Sequence, residues 1–175
     1  RDIAQKFNND FKIKNFFIAP EPLIKKEFSR IMSLKDGLKK MSKSELSDSS
    51  RINLTDDKDA IVNKIKKAKT DPLPMPSSIE ELNERLEAKN LLGIYSSLNN
   101  SSLQKTVETF SGKNFSEFKN QLSDLLVKKI EPISQEIKKL LDDQTYLDKI
   151  LLEGVEKANS IASKKIDRIK EILGF

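Results

Sequence analysis

Apolar and polar positions follow two different rhythms along the chain. Up to about residue 55 the apolar residues come in short clusters. From residue 56 they recur at three- and four-residue spacing, the period of one helix face. Residues 1–9 read as the end of a helix, with Ile3, Ala4 and Phe7 on one face and Asn8-Asn9-Asp10 as its stop. Phe16, Phe17 and Ile18 form a short apolar run closed by Pro20 and Pro22, which fits a buried strand or an extended stretch. Ile31-Met32-Ser33-Leu34 is the best strand candidate. Residues 35–54 are polar and non-periodic, and a structureless segment of that length is usually functional or disordered.

The second rhythm predicts a series of helices. Asp56, Asp57 and Asp59 open the first, and Lys64, Lys66, Lys67 and Lys69 close it, an order that suits the helix dipole at both ends. Its apolar stripe is Ile61, Val62, Ile65 and Ala68. A proline-rich linker, Asp71–Pro76, is followed by a capping box of Ser78 with Glu81 that leads into Ile79, Leu82 and Leu86. A short helix covers Leu91–Leu98. Ser101 with Gln104 opens another, which Gly112 stops. Asn114 with Glu117 opens a long helix that Pro132 should kink or interrupt near Glu131. The last runs from about Gln144 to Leu173, striped by Leu147, Ile150, Leu151, Val155, Ala158 and Ile161, with Gly174 at its stop. The fold class is mainly α. Residues 1–55 are a piece of an α/β unit with a mobile loop, and residues 56–175 are a helical bundle.

Composition narrows the chemistry. The 175 residues contain neither Cys nor His, which excludes disulfides, thiol catalysis, imidazole base catalysis and Cys- or His-ligated metals; no metal-holding set is assigned. No apolar run approaches the ~20 residues that span a membrane. The net charge of +5 permits polyanion binding without establishing it. The chain opens on Arg1 rather than Met, inside a helix that has no N-cap, so it is expected to begin within a longer protein.

The string that carries chemistry is Lys40-Met41-Ser42-Lys43-Ser44, preceded by Arg30–Leu34. Two lysines with hydroxyls between them can surround a polyphosphate on a flexible loop, because Lys supplies a compact mobile charge and Ser supplies hydrogen bonds. The plainer alternative is a solvated basic loop.

At this string the chain resembles a known family: it is similar to the C-terminal half of bacterial-type tryptophanyl-tRNA synthetases, which are class I aminoacyl-tRNA synthetases. Lys40–Ser44 is identical to the class I KMSKS signature. Arg1-Asp2-Ile3-Ala4 with Phe7-Asn8, then Arg30–Leu34, Lys64-Ile65, Ala68 and Thr70-Asp71, are similar in the same order. So are Asn90-Leu91-Leu92, Ile94-Tyr95, Gly154, Ala158, Ala162 and Gly174-Phe175. The chain departs at Glu45-Leu46, where the family usually has Asp-Pro, and across Pro76–Ala88.

The resemblance implies a ligase that makes tryptophanyl-adenylate from tryptophan and ATP with magnesium, then charges tRNA(Trp). Residues 1–55 would be the end of a Rossmann-like catalytic domain with its mobile phosphate loop, and residues 56–175 an anticodon-binding helical domain. By carry-over Lys40 and Lys43 are the catalytic phosphate clamps. Ile31 and Met41 lie beside the adenine, and Ser42 and Ser44 hold the loop and donate to phosphate. Arg30 is more structural than catalytic, and Met32 packs in the core. Lys64, Lys66 and Lys67 are candidates for tRNA phosphates. Tyr95, Phe110, Phe115, Phe118 and Tyr146, the residues available to stack on bases, mostly sit at core spacing. The family's His-x-Gly-His-type element and tryptophan pocket lie upstream of Arg1, so the chain is expected to be half of an active site and inactive alone. The resemblance further implies a cytoplasmic homodimer with no membrane association. The runners-up are a tyrosyl-tRNA synthetase fragment and a non-enzymatic helical module that binds RNA or protein.

Overall fold

The computed structural model describes residues 1–24 and 28–175. Among them the chain is mainly helical and contains no β-strand, only an isolated bridge between Met32 and Lys40. Among the described residues no helix is long and apolar enough to cross a membrane. Among the described residues seven α-helices follow one another: α1 (Asp2–Asp10), α2 (Lys58–Lys66), α3 (Ile79–Asn83), α4 (Leu86–Leu98), α5 (Leu103–Phe110), α6 (Phe115–Asp142) and α7 (Gln144–Leu173), with a 3-10 turn at Asp48–Ser50 before α2. They form two compact units, Arg1–Ile24 with Asp143–Phe175, and Lys25–Asp142. The units do not divide at residue 55. The loop segment lies in the same unit as α2–α6, because side chains of α2 and α4 bind its backbone and its carboxylates.

The larger unit is built on α6, which packs against α2 and α4, with α5 and α3 on α4. Ile61, Ile65, Leu82, Leu92, Val107, Phe110, Phe118 and Leu122 are wholly buried in one core. Phe110 meets Phe118 edge-to-face at 4.8 Å and Tyr95 at 4.9 Å, the arrangement that aromatic quadrupoles favour. Of the aromatic residues available for stacking, Phe110 and Phe118 are thus core. Tyr95 and Phe115 pack half-buried against it, and Tyr146 stays exposed.

Local capping chemistry sets most helix ends. Asp57 accepts from the Ala60 N–H to start α2, Ser78 from Glu81, and Asn114 from Glu117. At α5 the cap is Ser102 rather than Ser101; the Ser101 hydroxyl instead bonds that of Thr106. The helical stretch read through Ile79, Leu82 and Leu86 breaks at Arg85, and the helix expected from Leu91 begins at Leu86. The Arg85 guanidinium grips both Asp71 oxygens at 2.6 and 3.0 Å and donates to the Pro74 carbonyl, which pins the proline linker to the helix break. Pro132 does not interrupt α6. It and Lys128 lie on the exposed side of the helix, so the carbonyl left without a donor is beside solvent.

In the smaller unit Phe7, Phe11, Phe16 and Phe17 stack together, and the Lys165 ammonium lies 3.7 Å from the Phe16 ring centroid. Phe16–Ile18 is irregular, because the Asn8 side chain takes both the Phe17 N–H (3.0 Å) and its carbonyl (2.8 Å). Helix α7 ends in a left-handed Gly174 at φ +83°, with the Phe175 and Gly174 N–H groups returning to the Lys170 and Glu171 carbonyls. Its apolar stripe has no buried residue; Leu151 is 64% and Ile161 69% exposed.

Replacing Phe118 by Ala is expected to cost ~3–5 kcal/mol, because a fully buried ring with two aromatic neighbours leaves a cavity that its surroundings cannot close. Urea denaturation of the two proteins measures this; a loss below ~1 kcal/mol would contradict the packing described.

Candidate functional site

The Lys40–Ser44 string is framed by backbone pairing on one side and by a helix side chain on the other. The Met41 N–H donates to the Ile31 carbonyl at 3.0 Å and the Ser33 N–H to the Lys39 carbonyl at 2.8 Å, which makes a one-bridge antiparallel pair. The opposite edge of Met32 is occupied by Asn90 of α4. The Met32 N–H donates to Asn90 Oδ1 at 2.9 Å, and Asn90 Nδ2 donates to the Met32 carbonyl at 2.8 Å. Asn90 is 4% exposed. Hydrogen bonds therefore line both edges of the predicted strand: residues 39 and 41 on one, and on the other the Asn90 amide at Met32, followed by the Ser50 carbonyl and the Lys69 N–H at Leu34. This is why Ile31–Leu34 pairs over a single bridge. The turn between the two arms packs on α4 at Gly37, where a Cβ would come within 3.0 Å of Leu86.

The tip projects from this frame. Lys40, Ser42, Lys43 and Ser44 are exposed and Met41 is half-buried against the core. The Ser42 and Ser44 hydroxyls bond each other at 2.9 Å, and the Ser44 N–H donates to Ser42 Oγ. A groove of about 650 Å³ runs beside the tip. Its lining includes Arg30, Ile31, Lys40, Met41, Ser42, Lys43 and Arg51. Thus Ile31, Lys40, Met41, Ser42 and Lys43 share one concave surface, and Ser44 adjoins it through Ser42. Among the described residues four cations and no carboxylate line the groove. Neither Lys40 nor Lys43 has an ion-pair partner among the described residues. Such a groove attracts a multiply charged anion, and the apolar Ile31 and Met41 beside the charges suit a ligand that is anionic at one end and flat and apolar at the other.

The three lysines of α2 and its C-terminus are placed differently. Lys66 and Lys67 are exposed. Lys64 is buried, and its ammonium donates to Asp48 Oδ2 at 2.6 Å and Asp56 Oδ2 at 2.7 Å. Asp56, read as a helix-opening acid, is thus an internal counter-charge, and Asp57 does the capping. The hydrogen bond from Lys64, and then that from Asn53, hold the Asp48 carboxyl below the usual carboxylate range. Lys119 caps the far end of α2 by donating to the Lys66 and Ala68 carbonyls; burial pushes its ammonium pKa down.

Sequence reasoning missed the supporting roles of Asn90, Arg51, Asn53 and Asp48. Asn90 carries a faint signal, being a polar residue at the head of the apolar run Leu91–Tyr95 in α4. The other three look like ordinary loop residues. No group of three or more acidic side chains able to hold a metal occurs among the described residues.

Comparison with known proteins places the chain in a family. The family model of class I tRNA synthetases (W and Y) matches residues 1–131. A tryptophan–tRNA ligase of Caulobacter vibrioides is 47% identical over 175 residues, all of this chain and 51% of that protein. One of Agrobacterium fabrum is 48% identical over 193 aligned residues, covering all of this chain and 54% of that protein. The chain therefore spans about half the length of the curated relatives it matches. Its fold is similar to the crystal structure of tryptophanyl-tRNA synthetase from Mycoplasma pneumoniae, with a TM-score of 0.82 at 25% identity over the whole chain and 51% of that structure. It is also similar to the Campylobacter jejuni enzyme complexed with ADP and tryptophan, with a TM-score of 0.65 at 25% identity over the whole chain and 52% of that structure.

Asn90→Ala is expected to destabilise the chain by about 1–3 kcal/mol, because two part-buried backbone groups of Met32 lose their partner. Asn90→Asp should be at least as harmful, since a carboxylate cannot donate to the Met32 carbonyl. Denaturation midpoints, read together with faster hydrogen exchange at the Met32 amide, test this; an unchanged amide would refute the clamp.

Proposed function

The chain belongs to the class I tRNA synthetases of the tryptophan and tyrosine group, and from that premise we propose that it is the C-terminal part of a tryptophan–tRNA ligase. The intact protein activates tryptophan with ATP and magnesium, then transfers the acyl group to tRNA(Trp). Every curated relative compared above is a tryptophan rather than a tyrosine enzyme, which supports the choice between the two. The single observation that carries the site reading is the groove that joins Lys40 and Lys43, which have no ion-pair partner among the described residues, to Ile31 and Met41.

In this reading the tryptophan carboxylate attacks the α-phosphorus of ATP, the bond to the bridging oxygen breaks, and pyrophosphate leaves. The protein contributes position and charge rather than bonds. Lys40 and Lys43 neutralise the phosphate oxygens as negative charge gathers on the leaving pyrophosphate. Ser42 and Ser44 hold the tip and donate to phosphate. Ile31 and Met41 pack beside the adenine. Arg30 lines the same groove and adds to its positive field.

By role, as distinct from the packing units, residues 1–55 serve as the end of a Rossmann-like catalytic domain with its phosphate loop, and residues 56–175 as a helical domain of the anticodon-binding type. Exposed Lys66 and Lys67 are the candidates for tRNA phosphate contacts, whereas Lys64 is occupied by its two carboxylates. The full-length protein works in the cytoplasm as a homodimer.

The test is the rate of tryptophan-dependent adenylate formation by the intact protein. Lys43→Ala should lower it roughly a hundred- to a thousandfold, the usual loss for one electrostatic donor aimed at the transition state, with tryptophan binding nearly unchanged. Lys43→Arg should recover only part, because a planar fork does not replace a point charge. Lys66→Ala should leave adenylate formation as it was. Equal and mild effects of Lys43→Ala and Lys66→Ala would end the assignment. The 175-residue chain alone should give no tryptophan-dependent exchange of pyrophosphate into ATP.

A further inference from the structure

Resting on the phosphate-loop reading above, we infer that Arg51, set by Asp48, is a positioning residue that fixes the second foot of the Lys40–Ser44 loop. Arg51 reaches back along the chain, and its Nη1 donates to the Glu45 carbonyl at 2.8 Å, one residue beyond Ser44. Its Nε donates to Asn53 Oδ1 at 3.1 Å, and its Nη2 lies 3.1 Å from Asp48 Oδ1. Three separate donors of one guanidinium are thus used within the protein, and the side chain is only 17% exposed. An arginine so occupied acts by holding, although it lines the groove.

The hold continues inward. Asp48 is tied by Lys64, Arg51 and Asn53. Lys64 belongs to α2, whose Ile61 and Ile65 are wholly buried. Asp56 closes the cluster by accepting from Lys64 and from the Asn53 N–H at 2.9 Å. A continuous set of charge-assisted bonds therefore runs from a core helix to Glu45.

The other foot is equally fixed, by Asn90 through Met32 and by the Met41–Ile31 bond. Only Ser42, Lys43 and Ser44 remain between Met41 and Glu45. A span that short, held at both ends, confines Lys43 to a small volume and lowers the entropy lost when it meets a phosphate. Asp48 is absent from the groove lining, so its influence on chemistry passes through Arg51 and Lys64.

The experiment uses the full-length protein and two variants, Asp48→Asn and Arg51→Lys. Arg51→Lys keeps the charge but cannot reach three acceptors at once. Each should lower kcat for adenylate formation about tenfold or more, with KM for tryptophan unchanged. In a Lys43→Ala background the same changes should cost less than about threefold, because they act through the side chain already removed. Additive losses in both backgrounds would overturn the inference, as would full activity of both variants. A second readout does not need activity: ligand-free hydrogen exchange at the Ser44–Leu46 amides should accelerate several-fold in Asp48→Asn while core amides of α2 keep their protection. Unchanged loop exchange, or loss of protection throughout α2, would equally overturn it. A wild-type protein with no tryptophan-dependent activity would count against the proposed function instead, and the exchange measurement would still decide the anchor.

Discussion

The pair of hydrogen bonds between Asn90 and Met32 is the constraint on which the site depends. A lone extended segment beside a helical core has two rows of backbone groups to satisfy, and leaving buried ones unpaired is costly. Pairing with residues 39–41 satisfies one row. On the other the Asn90 amide satisfies Met32, because its donor and acceptor are spaced like those of a neighbouring peptide, and Ser50 and Lys69 satisfy Leu34. This contact joins the arm that leads into the loop to α4, and α4 to the aromatic core around Phe110 and Phe118.

The same device recurs in the other unit, where Asn8 clamps Phe17. Both stretches read as strand or extended candidates, and in both an asparagine takes the place of a sheet partner. The chemistry of the loop gains from this. A tip held between Asn90 on one side and Arg51 on the other can be short, charged and exposed without needing apolar contacts of its own. Its two lysines have no ion-pair partner among the described residues, while the neighbouring lysine of α2, Lys64, is used up in holding the frame.

The unit that holds α7 shows the limit of pattern as a guide to burial. Its stripe from Leu147 to Leu173 has clear helical periodicity, yet the helix contains no buried residue. Periodicity records which face is apolar; it does not say what covers that face. Most of these side chains are amphipathic-face residues with nearly half or more of their surface in solvent.

What the sequence determined by itself was local. Helix starts at Asp57, Ser78 and Asn114, the stop at Gly174 and the core placement of Phe110 and Phe118 follow from capping bonds and from spacing within one or two turns. The Lys40–Ser44 string was legible as two lysines with hydroxyls between them, and Lys40, Met41, Ser42 and Lys43 do line one groove. Tertiary structure alone decided the rest. That Lys64 faces inward, that Asp48 and Asp56 meet on it, that Arg51 reaches Glu45 and that Asn90 substitutes for a strand all join residues distant in sequence or turned by an irregular loop. A lysine on a helix has the same letter and the same period whether it meets water or two carboxylates. Only the packing that closes the loop against α2 and α4 removes the water and makes the difference.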